Sequence, residues 1–146
     1  MLNLYDTATS QIRPLKQRVP GELSIYLCGP TVYGPPHIGH GRATLVYDIL
    51  RRYLEWTGVK VRLVSNITDI DDKIIRRATD NGESIRTLTD RMIEALHQDA
   101  DALGIERPQA EPRATDHVPG MLSLIGKLED KGLAYRSTNG DVNYAV

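Results

Sequence analysis

One thiol and two imidazoles fall within a single stretch, Cys28-Gly29-Pro30-Thr31-Val32-Tyr33-Gly34-Pro35-Pro36-His37-Ile38-Gly39-His40. With a helix beginning at Ile38, His37 and His40 lie on one face of its first turn, and both can donate hydrogen bonds to a phosphoryl oxygen. Gly39 between them has no Cβ, so a flat ring or a phosphate can approach its backbone closely. These donors need not move protons. In adenylyl transfer a carboxylate attacks the α-phosphate of ATP directly, and the protein mainly positions the reactants and stabilises developing charge. The same histidines also fit a plainer role, as helix-start residues with their rings in solvent. Cys28 has two readings as well: a small buried apolar residue at a strand end, or a thiolate metal ligand. Cys28, His37 and His40 by themselves make a poor zinc site, because they offer three ligands without the usual short spacings and share a motif suited to phosphate.

The elements that must position these groups follow from periodicity. Leu23-Ser24-Ile25-Tyr26-Leu27 has the length and branching of a buried strand. The stretch from Ile38 to Trp56 reads as a long amphipathic helix. Ala43, Val46, Leu50, Tyr53 and Leu54 form its predicted apolar face, widened by Leu45 and Ile49. Asp48, Arg51, Arg52 and Glu55 form the polar one. Gly58 sits where a left-handed residue ends a helix, and Lys60-Val61-Arg62-Leu63-Val64-Ser65 alternates as a second strand. Strand, helix and strand with a Gly/Pro-rich turn after the first strand make a βαβ unit, hence parallel pairing and an α/β, Rossmann-like fold. In such folds ligands bind at the carboxyl ends of the strands. Residues 1–6 read as an edge strand and residues 7–20 as a loop.

Downstream, Thr68 is the expected cap of a helix carrying Asp69, Asp71 and Asp72 in its first turn, where carboxylates complement the helix dipole. Metal binding by these aspartates would need converging oxygens, which successive helical directions do not readily provide. A further helix is expected from Ser84 to Leu103, with Ile85, Leu88, Met92, Leu96 and Leu103 inward. Residues 105–115 read as a connection and residues 116–131 as a helix with Pro119 in its first turn. Two strands follow around Thr138-Asn139-Gly140-Asp141. His97 reads as a surface residue, and His117 is given no chemistry. Arg42 suits either a phosphate or a surface carboxylate.

The Cys28–His40 motif resembles the His-Ile-Gly-His signature of class I aminoacyl-tRNA synthetases. With Cys28-Gly29-Pro30-Thr31-Val32-Tyr33 in front, it resembles the cysteinyl-tRNA synthetases. Asn66-Ile67-Thr68-Asp69-Ile70-Asp71-Asp72-Lys73-Ile74-Ile75, Glu111-Pro112-Arg113-Ala114-Thr115-Asp116-His117 and Gly140-Asp141-Val142 extend the resemblance in the family's order. The resemblance implies ATP, with Mg2+, at His37, Ile38, Gly39 and His40, with His37 and His40 as the catalytic pair. It implies cysteine and its adenylate at Cys28, Gly29, Thr31, Asn66 and Thr68. It further implies that Cys28 is one ligand of a Zn2+ whose other ligands lie beyond residue 146. In that family the zinc takes the substrate thiol, which it binds far better than a hydroxyl. Ala43 departs from the Thr, Ser or Pro that many family members carry there.

By the same resemblance, residues 1–115 are the first half of a catalytic nucleotide-binding domain and residues 116–146 lead into an inserted connective region. The family then continues into the second half of that fold, a lysine-rich KMSKS loop and an anticodon-binding domain, through which tRNA(Cys) is mainly held. The 146 residues alone are therefore expected to be inactive. Two other functions stay open: a ligase joining cysteine to an aminosugar in mycothiol synthesis, and a non-catalytic nucleotide-binding half-domain. Net charge is −1, so no broad basic field announces nucleic-acid binding. A single cysteine excludes an internal disulfide. No membrane-length apolar run occurs, and a cytoplasmic location is the default expectation.

Overall fold

The computed structural model describes residues 2–146. Its first element is a hairpin of β1 (Asn3–Asp6) against β2 (Gln11–Pro14). Residue 1 of the predicted edge strand lies outside the described residues. The predicted loop over residues 7–20 is corrected in part, because β2 occupies its middle. Every residue of β2 is exposed, so no apolar alternation marks it in the sequence. Asp6 builds the turn instead, accepting from Ala8 N, Thr9 Oγ1 and an Arg13 guanidinium nitrogen, each at 3.0 Å.

The predicted βαβ unit is present. β3 (Glu22–Leu27) and β4 (Lys60–Ser65) pair in parallel, from Glu22 opposite Lys60 to Leu27 opposite Ser65. α1 (Ile38–Trp56) crosses between them and ends at Thr57, with Gly58 at a φ of 86°. The segment predicted as a plain connection after residue 105 does more. Its bridges pair Val64 with Ala110 and Ile67 with Arg113, both parallel. A third parallel segment therefore lies along β4. Pro108 and Pro112 hid it, since proline ordinarily argues against a strand; Ile67 N donates to the Pro112 carbonyl at 2.9 Å, a bond that needs no donor from the proline.

The rotation of α1 is the largest correction. Val46, Ile49 and Tyr53, predicted inward, are exposed, as is Trp56, whereas Asp48 and Arg51 are 2% and 1% exposed. Half of the polar face, Asp48 and Arg51, is buried because its charges are satisfied, while Arg52 and Glu55 stay exposed. Arg51 donates to Asp48 at 2.8 Å, to Glu106 at 2.7 Å and to the Arg107 carbonyl at 3.0 Å. Arg52 donates to the second Asp48 oxygen at 2.7 Å and to the Gly104 carbonyl at 2.6 Å. A buried ion pair is tolerable only with its remaining valences filled, and one atom, Arg51 Nε, is left without a partner.

α2 (Asp72–Asn81) starts later than predicted. Its cap is Asp71, which accepts from Lys73 N at 2.8 Å, so neither Thr68 nor Asp69 belongs to its first turn. α3 (Ile85–Ala102) is capped by Ser84 as expected. Leu88 and Met92 turn inward with Thr89 and Ile93, while Ile85 and Leu103 stay exposed. Val32, Ile67, Ile74, Ala78, Leu88, Met92 and Ile93 form one core cluster, joining α2 and α3 to the chain just beyond β3 and β4. A 3-10 turn, Thr115–His117, precedes α4 (Val118–Asp130), so the predicted helix start at residue 116 is a tighter turn. β5 (Ala134–Arg136) and β6 (Val142–Tyr144) complete the predicted terminal hairpin. Among the described residues no helix is long and apolar enough to cross a membrane.

Beyond their strand ends, the chains of β3 and β4 stay together. Thr68 N donates to the Pro30 carbonyl and Val32 N to the Thr68 carbonyl, both at 3.1 Å. At this crossing a Cβ on Gly29 would overlap the Asn66 carbonyl oxygen. No side chain fits there. Gly29→Ala should therefore destabilise the chain by at least the ~1–3 kcal/mol of ordinary overpacking, read as a lower urea midpoint. Asp48→Ala strands a buried guanidinium. Glu106 still holds one side of it, so the loss should fall near the low end of about 3–5 kcal/mol. The double variant Asp48→Leu with Arg51→Met, which replaces the buried charges by hydrocarbon, should recover much of it.

Candidate nucleotide and amino-acid site

The site lies where β3 ends and α1 begins, at the carboxyl edge of the parallel strands. His37 caps α1 with extended backbone, and its Nδ1 accepts from Gly39 N at 3.1 Å. His40 returns the bond, its Nδ1 accepting from His37 N at 3.2 Å. The arrangement is a capping box made of imidazoles. Both Nδ1 atoms are acceptors, so each neutral ring carries its proton on Nε2. The rings stack with centroids 3.9 Å apart. Burial, and then the neighbouring His37, push the His40 pKa below its usual value. The space above Gly39 that the sequence assigns to a ligand is occupied by the protein itself: a Cβ on Gly39 would lie 2.8 Å from His37 Cε1. The glycine lets the imidazole fold over the helix start.

A cleft of about 180 Å³ opens beside these rings, lined by Leu27, Cys28, Gly29, Pro30, His40, Ala43, Thr44 and Ser65. Cys28 is exposed, which excludes its reading as a buried apolar residue. The thiol and the His40 imidazole thus share one cavity. His37 does not line it. It lines a neighbouring groove with Pro36, Ile38, Gly41, Leu96 and Leu103. Thr31 and His40 both border a shallow pocket against Met92 and Leu96.

Asn66 and Thr68 stand behind this cleft rather than in its lining. Asn66 Oδ1 accepts from Gly29 N at 2.9 Å, and its amide donates to Thr68 Oγ1 at 3.2 Å. They fix the wall that carries Gly29. Asp69 is buried and accepts from Thr115 through both oxygens. His97, predicted at the surface, is half-buried, with its Nε2 2.9 Å from Glu111. His117 and Arg42 are exposed.

Sequence reasoning missed Thr44 and Ser65. Ser65 is the last residue of β4, and the positional rule that singled out Asn66 applies equally to it. Thr44 follows His40 by one turn, and its hydroxyl donates to the His40 carbonyl at 3.0 Å. Among the described residues no group of three or more His, Cys, Asp or Glu side chains converges to hold a metal ion. The exposed thiol of Cys28 fits a soft metal as one ligand.

Chemically, the cleft offers an anion the His40 imidazole at a helix start, with Cys28 in the same lining, and His37 borders the adjoining groove. The profile of the class I (C) tRNA synthetase catalytic domain matches residues 14–146. A cysteine–tRNA ligase from Albidiferax ferrireducens is 61% identical over 145 residues, which make up 99% of this chain and 32% of that protein. Another, from Variovorax paradoxus, is 59% identical with the same coverage. The chain thus spans about a third of the length of these relatives. Two solved structures share the fold. Agrobacterium radiobacter K84 agnB2 LeuRS, in its ternary complex with tRNA and LeuAMS, aligns with a TM-score of 0.72 and 23% identity, covering 84% of this chain and 16% of that one. Mycobacterium tuberculosis methionyl-tRNA synthetase in complex with methionyl-adenylate aligns with a TM-score of 0.71 and 20% identity, covering 78% of this chain and 23% of that one. The βαβ unit with its imidazole-capped helix therefore has a family, and this chain belongs to the class I (C) tRNA synthetase catalytic domains, among relatives named cysteine–tRNA ligases.

Proposed function

We propose that these residues carry the first half of the nucleotide-binding domain of a cysteine–tRNA ligase, residues 1–115, and the start of an inserted region, residues 116–146. The observation that carries the reading is the cleft shared by the Cys28 thiol and the His40 imidazole at the start of α1. In the proposed reaction the carboxylate of L-cysteine attacks the α-phosphate of ATP, pyrophosphate leaves, and cysteinyl-adenylate is then passed to tRNA(Cys). His37 and His40 donate from Nε2 to phosphate oxygens, and the helix start adds favourable charge. Ile38 and Gly39 shape the turn between the two rings. Gly29 and Thr31 line the amino-acid side, with Asn66 and Thr68 holding that wall in place.

Cys28 is the proposed zinc ligand within this span, with the remaining ligands contributed from outside it. Zinc bound there supplies a soft Lewis acid that prefers the substrate thiol over the hydroxyl of serine. Such a preference removes the need for a second, editing pocket. ATP enters with Mg2+ as substrate, and tRNA contacts fall mainly to parts of the protein outside these residues. A cytoplasmic location accords with this role.

The full-length protein carrying this chain should exchange pyrophosphate into ATP only in the presence of L-cysteine, and should contain about one zinc per chain. The 146 residues alone should do neither, and clear exchange by them would refute the need for a second half. Cys28→Ser should lower both zinc content and cysteine-dependent exchange. A pH test addresses the imidazoles. Burial and His37 disfavour His40 protonation in the free protein, and a bound phosphate favours it. Binding then takes up a proton, so ATP should bind more tightly as pH falls from about 8 to about 6. His40→Gln should flatten that dependence; an affinity already constant across this range in the unmodified protein counts against the assignment.

A further inference from the structure

The sequence presents Asp69 as one of several helix-start aspartates, but the structure gives it a separate task. Asp69 is 2% exposed. One oxygen accepts from Thr115 N at 2.9 Å and the other from Thr115 Oγ1 at 2.6 Å. Thr115 opens the 3-10 turn that feeds α4. Ala114 and His117, at the starts of the 3-10 turn and of α4, make no side-chain cap bond. For the 3-10 turn Asp69 supplies that cap from 46 positions earlier in the chain. A carboxylate is well suited to the task, because helix starts leave backbone N–H groups unpaired and carry positive partial charge.

The other side of Asp69 is the wall of the candidate site. Thr68 is its chain neighbour, bonded through its backbone to Pro30 and Val32 and through its hydroxyl to Asn66, which in turn holds Gly29 N. α4 packs on the 3-10 turn and on β5, and none of its residues is fully buried. Its attachment to the parallel sheet runs through the residues just before it: the Asp69–Thr115 pair, and the bonds that join Ile67 to the Ala114 N–H at 3.0 Å and to the Pro112 carbonyl at 2.9 Å.

We propose that Asp69 is a positioning residue through which the placement of α4 and the β5–β6 hairpin sets the Gly29–Asn66–Thr68 wall of the amino-acid pocket. The link to substrate rests on the ligase reading above; the link between the two structural units does not. Movement of the unit after residue 115 is transmitted to the cysteine side of the cleft and spares the ATP side, where His37 and His40 are fixed by their own cap.

The test uses the full-length protein with Thr115→Val, which removes the hydroxyl but keeps the backbone N–H, and with Asp69→Asn. Amide hydrogen exchange at Val32 and Thr68 is the first readout, and it needs no activity. Both variants should speed it by about five- to tenfold, as loss of a hydrogen bond implies, and Thr115→Ser should restore the original rate. The second readout is pyrophosphate exchange. KM for L-cysteine should rise about three- to tenfold while KM for ATP stays within about twofold. Unchanged exchange at Val32 and Thr68 in Thr115→Val would overturn the proposal, as would equal rises in both KM values. Absence of cysteine-dependent activity in the unmodified protein would defeat the ligase reading, and the exchange rates at Val32 and Thr68 would still decide the structural link.

Discussion

Two backbones meet at the carboxyl ends of β3 and β4 with no room for a side chain between them, and the geometry of the cleft follows from that contact. Gly29 is there because of the Asn66 carbonyl, and the Asn66 amide group then bonds Gly29 on one side and Thr68 on the other. Parallel strands usually diverge into separate loops at this point. Here they continue side by side as far as Val32 and Thr68. The chain leaving β3 is held flat against its neighbour, with the exposed thiol of Cys28 at the edge of the crossing. A rigid wall, rather than a flexible loop, faces the start of α1.

The opposite wall depends on how α1 is turned about its axis. An apolar helix face would permit small rotations, since Leu-on-Leu contacts are nondirectional. The Arg51 guanidinium forms a fork between Asp48, Glu106 and the Arg107 carbonyl, and that fork permits few rotations. With this rotation His40, Ala43 and Thr44 line the cleft with Ser65, and Val46, Ile49, Tyr53 and Trp56 stay outside. Stability is spent on orientation, in the sense that burying charge gains little net energy over packing hydrocarbon.

Much of this was legible in the sequence, and the exceptions share a cause. The βαβ unit, the extent of α1, the Ser84 cap and the terminal hairpin are written in local periodicity and turn chemistry. Reading the Gly/Pro turn as a ligand site grouped Cys28 with both histidines; the structure lines one cleft with Cys28 and His40 and leaves His37 in the neighbouring groove. What escaped depends on partners remote in sequence. Nothing near Asp48 or Arg51 announces Glu106 and the carbonyls of residues 104 and 107, so the charged stripe reads as a solvent face. Asp69 looks like its neighbours Asp71 and Asp72 until Thr115 is brought beside it. β2 and the segment beside β4 were missed because one has no inward side and the other carries prolines.

The cap borrowed by the turn before α4 also bears on how the chain acquires its structure. A helix with its own N-terminal cap can form as soon as its residues are available. The turn that opens into α4 instead has its first N–H paired by a residue 46 positions upstream, beside a closed pair of strands. Non-local contacts of this kind are reached only after the loop-closure entropy of the intervening chain has been overcome. The junction before α4 therefore closes only once the strands beside Asp69 are paired, whereas α4 and the β5–β6 hairpin rest on contacts close in sequence.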